Sequence, residues 1–208
     1  MQSNPFSTRY IQPGAISYEC FDGGNVTQLA DRIVNLPSKR GSIIGPHGSG
    51  KSTLIASLVP EIRSIRPGSQ IHQLRFSTDR SASRSLRKSV REWTPGSIAI
   101  LDGYEQLKFW SRVLVQWAAR SRSICILATA HQPVRGFVTI WETSVNESSS
   151  HWVVEKLLQQ SESPDAIREL LLSEDWARSR EKHGQNLRES LFDMYDWWQR
   201  RVARRSPP

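Results

Sequence analysis

Residues 45–52 read Gly-Pro-His-Gly-Ser-Gly-Lys-Ser, which meets the pattern G-x-x-x-x-G-K-[ST] at Gly45, Gly50, Lys51 and Ser52. The chemistry these types can do together is to hold a chain of phosphates. Glycines let the backbone wrap closely enough to aim successive N–H groups at phosphate oxygens. A helix starting at the loop adds its unpaired N–H groups and the positive end of its dipole. Lys51 supplies a cation for the β and γ phosphates of a nucleotide, and Ser52 a hydroxyl for Mg²⁺. The whole run of Gly45, Pro46, His47, Gly48, Ser49, Gly50, Lys51, Ser52 and Thr53 is expected to form the cradle. Further on, Ile98-Ala99-Ile100-Leu101-Asp102 is an apolar strand ending in a carboxylate. Asp102 can serve Mg²⁺ beside Ser52, or it can cap the helix that starts just after it; the upstream loop favours the metal role.

Together the two segments resemble the Walker A and Walker B motifs of the P-loop nucleoside triphosphatases. A strand and helix (71–76, then 80–91) intervene between them, which resembles the branch that includes the RecA-like, ABC and AAA+ ATPases. No Leu-Ser-Gly-Gly-Gln signature occurs, which excludes an ABC transporter ATPase. The resemblance implies ATP and Mg²⁺ as ligands, with hydrolysis coupled to a conformational or assembly change. In that branch a Glu commonly follows the strand Asp and orients the attacking water. Here Gly103 follows, and the nearest carboxylate is Glu105. Glu105 fits that role, and equally that of a charge favoured at a helix N-terminus. Thr129 and His131, at the tip of the next apolar strand, resemble the polar sensor or switch position near the γ-phosphate. An ordinary strand-end Thr and loop His fit as well. Gly184-Gln185-Asn186-Leu187-Arg188-Glu189 is similar to the start of the second sensor helix of some AAA+ proteins, which would place Arg188 on the phosphates from a helical lid. Tyr10, Tyr18 and Phe21 are candidates for stacking on a base.

These groups need elements to position them. Apolar spacing predicts a helix over 26–36, a strand at 42–44, and a short helix through Leu54, Ile55 and Leu58 that Pro60 stops. Strands follow at 71–76, 98–101, 124–129 and 137–141. A helix over 80–91 and a second over 104–120 lie between them, the second burying Leu107, Trp110, Leu114 and Trp117 on one face. Strands alternating with helices indicate a mostly parallel sheet of about five strands covered on both faces, the three-layer P-loop sandwich. Past about residue 147 only helices remain, near 150–160, 164–172, 174–182 and 187–199. The division expected is an α/β core over 1–148 with an irregular start, a helical lid over 149–199, and a basic, frayed tail over 200–208.

Composition sets the remaining bounds. The chain has 208 residues, 38% hydrophobic and 23% charged, enough for a core. Its 28 Lys and Arg against 20 Asp and Glu give a net charge of +8, and 22 of those bases are Arg. No apolar run approaches the ~18 residues of a membrane span. No secretory segment is visible, and two cysteines make no disulfide framework, so a reducing cytoplasm is expected. Cys125, in an apolar run, is expected to pack as a small hydrophobe. The segment 61–93 carries a net charge of +5, with Arg80, Arg84, Arg87, Lys88 and Arg91 on one helical face. That stripe is either a solvated face or a surface for nucleic-acid phosphates or another acidic partner. One of its arginines could also act on a neighbouring subunit's nucleotide. Residues 155–199 carry a net charge of −4, compatible with head-to-tail self-association. Two other functions stay open: a phosphotransferase that grips an acceptor's phosphate with arginines of 75–91, and a nucleotide-dependent nucleic-acid adaptor with little hydrolysis.

Overall fold

The computed structural model describes residues 4–21, 23–76 and 81–205. Five strands, β1 (Arg40–Ile44), β2 (Ile71–Arg75), β3 (Ile98–Asp102), β4 (Cys125–Ala130) and β5 (Val138–Glu142), form one parallel sheet in the order β2-β3-β4-β1-β5. Alternation along the central strands builds two cores at once. Ile98, Ile100, Cys125 and Leu127 face the layer of helices α1 (Val26–Val34) and α2 (Lys51–Ile65). Ala99, Leu101, Ile126 and Ala128 face α3 (Ser81–Glu92) and α4 (Phe109–Arg122). The result is the expected three-layer α/β sandwich. The strand that separates β1 from β3 is β4, however; β2, the one intervening in sequence, lies at the sheet edge.

Two helices differ from the sequence reading. Pro60 does not end α2, which runs on to Ile65. The missing N–H loses one helical bond, but Val59 and Ile62, on either side of the exposed Pro60, are buried against the sheet and hold the helix together. The face expected on the 104–120 helix is also wrong. A 3-10 turn covers Tyr104–Gln106, Leu107 is extended, and α4 starts only at Phe109. Leu107 is buried, but Trp110 and Trp117 are exposed, and α4 buries Val115, Ala118 and Ala119 instead. Val115, Ala118 and Ala119 of α4 pack into the core that holds Ala99 and Ala128 of the sheet, and Trp93, Leu86 and Phe76 from other segments fill the rest of it. The stripe on α3 reads as expected over the described residues: Leu86, Val90 and the following Trp93 are buried, while Arg84, Arg87, Lys88 and Arg91 face solvent. Arg80 lies outside the described residues.

The C-terminal segment, read from the sequence as a lid and called so here, comprises α5 (Glu147–Leu158), α6 (Pro164–Leu171), α7 (Glu174–His183) and α8 (Leu187–Arg205). Its helices start where local chemistry dictates. Asn146 and Ser149 form a reciprocal capping box, and Ser163 and Ser173 accept the N–H groups of Ala166 and Trp176. Trp176, Trp198, Leu170 and Met194 make a third apolar core. The N-terminal segment contributes to it: Phe6 is fully buried there, and Asn4 donates to the Tyr195 carbonyl at 3.0 Å. Helix α8 continues past Arg200 to Arg205, and Arg201 lies over the Trp197 ring at 5.1 Å and 3.4 Å from Glu169. Among the described residues no helix is long and apolar enough to cross a membrane.

Candidate nucleotide site

The loop from β1 to α2 opens at the C-terminal edge of the sheet. Gly50 stands at the N-cap of α2 with no side chain to occupy the first N–H groups, so these remain available to an anion. Gly48 has φ +69°, and a Cβ there would collide with Asn186 at the start of α8. Only glycine fits both the backbone and the neighbour. The loop is propped from inside by Ser49, whose hydroxyl donates to the Pro46 carbonyl at 2.8 Å and lies 2.6 Å from that of the fully buried Thr143. Lys51 Nζ donates to the carbonyls of Gly45 and Pro46, both at 2.6 Å. Burial lowers the Lys51 pKa, and the charges of Glu105 and Asp102 oppose that shift.

Asp102, at the end of β3, is held by three groups. Ser52 donates to its Oδ2 at 2.8 Å, Thr129 to its Oδ1 at 2.6 Å, and Arg75 Nε lies 3.6 Å from Oδ2. The Thr129 hydroxyl also accepts the Gly103 N–H at 2.8 Å, and the residue is 1% exposed. Thr129 therefore sets the carboxylate and the backbone that follows it. The helix-cap alternative for Asp102 does not hold: the residue at the cap of the 3-10 turn is Gly103, and the Asp102 carboxylate accepts from Ser52 and Thr129 instead. Ser52 and Asp102 are adjacent hard oxygen donors, the chemistry that suits Mg²⁺.

Gly103 turns the chain after Asp102. Its φ is +84°, and a Cβ would stand 2.8 Å from the Phe76 carbonyl, so this turn too requires glycine. The turn brings Glu105 back toward the loop. Its Oε1 lies 3.5 Å from His131 Nε2, and its Oε2 is buried without a hydrogen-bond partner among the described residues. His131 packs on His47 of the loop with ring centres 4.0 Å apart. Burial lowers the His131 pKa, Glu105 opposes that, and His47 and Lys51 lower it further. Cys125, by contrast, is buried at the start of β4 with its thiol pushed up to about 11, chiefly by burial, and packs in the core with Ile98 and Leu127.

The loop, the strand tips and the lid enclose a cleft of about 500 Å³, within the size range of small-molecule sites. Loop residues from His47 to Thr53, together with Asp102, Glu105, Thr129, His131 and Arg188, all border it. Arg188 does so from α8, whose preceding residues fasten the lid to the core. Gln185 bonds both the N–H and the carbonyl of Val145, at 2.7 and 3.0 Å, and Asn186 rests on Gly48. The other side of the cleft is apolar, with Ile16, Tyr18 and Phe21 facing Trp152, Val153 and Leu191 of the lid. Tyr18 is anchored by its hydroxyl, which accepts from Trp141 Nε1 at 3.1 Å. Phe21 meets Trp152 edge-on at 6.1 Å. Tyr10 borders the cleft as well.

Sequence reasoning counted Arg75 among the arginines of 75–91 but did not place it beside Asp102, and it missed Trp152. Arg75 pairs in register with Asp102 across β2 and β3, a neighbourhood that needs the sheet order. Trp152 lies on an amphipathic lid helix, where an aromatic facing a cleft has the same spacing as one facing a core.

No protein-family model and no curated protein matches the chain. Solved structures do match. A single-substitution variant of Thermotoga maritima RuvB is similar at a TM-score of 0.55 and 12% identity, over 80% of this chain and 58% of that one. Domain III of the T. maritima replication initiation protein DnaA matches at 0.52 and 12%, over 82% and 90%. C. elegans PCH-2 matches at 0.51 and 11%, over 85% and 66%. This chain thus spans little more than half the length of the RuvB chain it resembles. These are AAA+ structures, and with the sheet order and the loop they show that this chain has the three-layer P-loop nucleoside triphosphatase fold.

Proposed function

We propose that the chain binds ATP with Mg²⁺ and hydrolyses it slowly, coupling the nucleotide's state to the lid. The observation that carries this reading is the chain Ser52–Asp102–Thr129 at the floor of a cleft that Lys51, Glu105, His131 and Arg188 all border. Mg²⁺, held by Ser52 and Asp102, would neutralise charge between the phosphates. The loop amides and Lys51 position the phosphates, and Arg188 meets them from the lid. Water attacks the γ-phosphorus and the bond to the bridging oxygen breaks. Glu105 orients that water and takes its proton, with His131 beside it as a neutral partner. The apolar pocket between Tyr18 and Trp152 takes the base.

A second reading has one observation in its favour. Arg75 is 63% exposed, borders the cleft and stands beside Asp102, where an acceptor's phosphate could meet it. Phosphate release from ATP without any acceptor decides between the two. Hydrolysis predicts release that Lys51→Ala abolishes and Glu105→Gln reduces by about 10²-fold or more, with ATP still bound. Release only in the presence of a phosphorylated acceptor would favour transfer. Arg188→Ala should weaken ATP binding and turnover, and no change in either would remove it from the site. The Arg84–Arg91 face of α3 is proposed to hold nucleic acid or another acidic partner, and its test is salt-sensitive binding of DNA or RNA.

A further inference from the structure

Helix α4 turns its largest apolar side chains away from the protein. Phe109, Trp110 and Trp117 are 68%, 77% and 61% exposed, and Val113 is 44% exposed. They recur at one- and two-turn spacing and form a stripe about 12 Å long. The stripe presents roughly 500 Å² of apolar surface, a size at which patches on monomers are often functional. It borders a groove between α4 and residues 134–136. The charged side chains of that groove are Arg40, Arg112, Arg120 and Arg135, and no carboxylate lines it. Among the described residues none of these four arginines forms an ion pair.

One wall residue also reaches the nucleotide site. Arg112 Nη2 donates to the Glu105 carbonyl at 2.7 Å, and its Nε to the Leu107 carbonyl at 2.8 Å. Its guanidinium lies 5.5 Å from the centre of the Tyr104 ring. The side chain that walls the groove thus holds the backbone of the turn carrying Glu105.

We propose that the α4 groove docks an acidic, amphipathic segment of a partner protein, and that docking acts through Arg112 on the position of Glu105. Charge complementarity carries the choice of partner: four arginines without an ion pair among the described residues, beside an apolar stripe, fit a helix with apolar anchors and flanking carboxylates. Single-stranded nucleic acid fits less well. Phe109 and Trp110 pack edge to face at 5.2 Å and 74°, and so do not offer two parallel faces to successive bases. A bilayer is flat, whereas Val113 and Trp117 line a groove together with the arginines. A second copy of this chain has an acidic lid, but among its described large apolar residues that lid exposes only Leu172 and Tyr195, too little to cover the stripe. The coupling half of the proposal rests on the hydrolysis reading above; the docking half does not.

The test starts from a displayed library of random peptides of ~15 residues, about four helical turns, panned on the full chain. Enriched peptides should combine Asp or Glu with an apolar stripe. Labelled copies should bind by fluorescence anisotropy, and Trp117→Ala and Arg120→Glu should each weaken them by about tenfold or more. Enrichment of neutral or basic peptides, or affinities that neither substitution changes, would overturn docking. So would binding of oligothymidine or phosphatidylserine vesicles, or self-association by sedimentation, that Trp117→Ala abolishes while peptide binding persists. For the coupling, saturating peptide should change ATP turnover by about fivefold. Arg112→Lys should lower kcat and remove that response while leaving KM for ATP within about twofold. A full response in Arg112→Lys would overturn the coupling and leave docking standing. A wild-type chain with no turnover at all would defeat the hydrolysis reading and with it the coupling, while anisotropy would still decide docking.

Discussion

Replacing Thr129 by valine keeps the shape of a side chain that is 1% exposed and removes one hydroxyl. Two hydrogen bonds go with it: the 2.6 Å donation to the Asp102 carboxylate and the 2.8 Å acceptance from the Gly103 N–H. A bond to a charged group contributes about 1.5–3 kcal/mol, and a buried N–H left without a partner costs about 1–3 kcal/mol. The two share one oxygen, so their losses do not simply add. A total of about 3 kcal/mol follows, which for a chain of this size lowers Tm by about 6–12 °C. Thr129→Ser keeps both bonds and loses one methyl, at a cost of about 1 kcal/mol. Urea or thermal unfolding without nucleotide measures both variants. The reasoning also predicts a ligand effect, since Thr129 fixes the carboxylate that Ser52 shares. Thr129→Val should weaken Mg²⁺-dependent ATP binding more than ATP binding in EDTA. If Thr129→Val is as stable as wild type to within about 0.5 kcal/mol, the role of Thr129 as the brace of Asp102 is refuted. A direct role at the phosphate would then be the better reading.

Gly48→Ala places a methyl at positive φ and into Asn186, so it should abolish nucleotide binding; Asn186→Ala removes the collision but not the backbone strain, and should rescue little of it. NMR titration should find the His131 pKa below the ordinary 6.5, lowered by burial. Because the folded state prefers the neutral ring, stability from this group is present above the unfolded value and declines as pH falls from 6.5 through the lowered one. Glu105→Gln should lower that pKa further and His47→Ala should raise it, and shifts in the opposite sense would place those rings and that carboxylate wrongly. Trp93→Ala, at 2% exposure, should cost about 3–5 kcal/mol. Trp110→Ala, 77% exposed on α4, should change stability by less than about 0.5 kcal/mol; equal losses in the two variants would contradict the helix face described above.

Much of the candidate site is legible as a pattern in the sequence. The loop is contiguous, and its chemistry depends on glycines and one lysine at fixed spacing, so Gly45 through Thr53 could be read directly. Asp102 was legible because an apolar strand ending in a carboxylate is a local pattern. Glu105 was a weaker reading. Nothing local says that Gly103 bends the chain so that a carboxylate two residues late returns to the loop; the close approach of Gly103 to the Phe76 carbonyl does that. Arg188 was legible only through a short motif, and the contact of Asn186 with Gly48 now gives that motif a physical place beside the loop.

The sequence by itself determined the class of fold, the glycine-rich loop before α2 and the starts of α6, α7 and α8, while α5 begins three residues ahead of the expected 150. Each of these is set by neighbours a few residues apart: backbone freedom at glycine, an Asn or Ser accepting an N–H three residues on, a period of two or of 3.6. Only the tertiary structure decided what covers each face. Leu107, Trp110, Leu114 and Trp117 have helical spacing, yet α4 buries Val115, Ala118 and Ala119, where the core is already filled by Trp93, Leu86 and Phe76 from elsewhere in the chain. Pro60 sits inside a helix because burial on both sides outweighs one lost bond. Phe6 joins the lid, Arg75 stands beside Asp102, and β4 parts β1 from β3, through contacts across long stretches of chain. Periodicity reports that a face will be buried; which neighbour buries it is a property of the packed molecule.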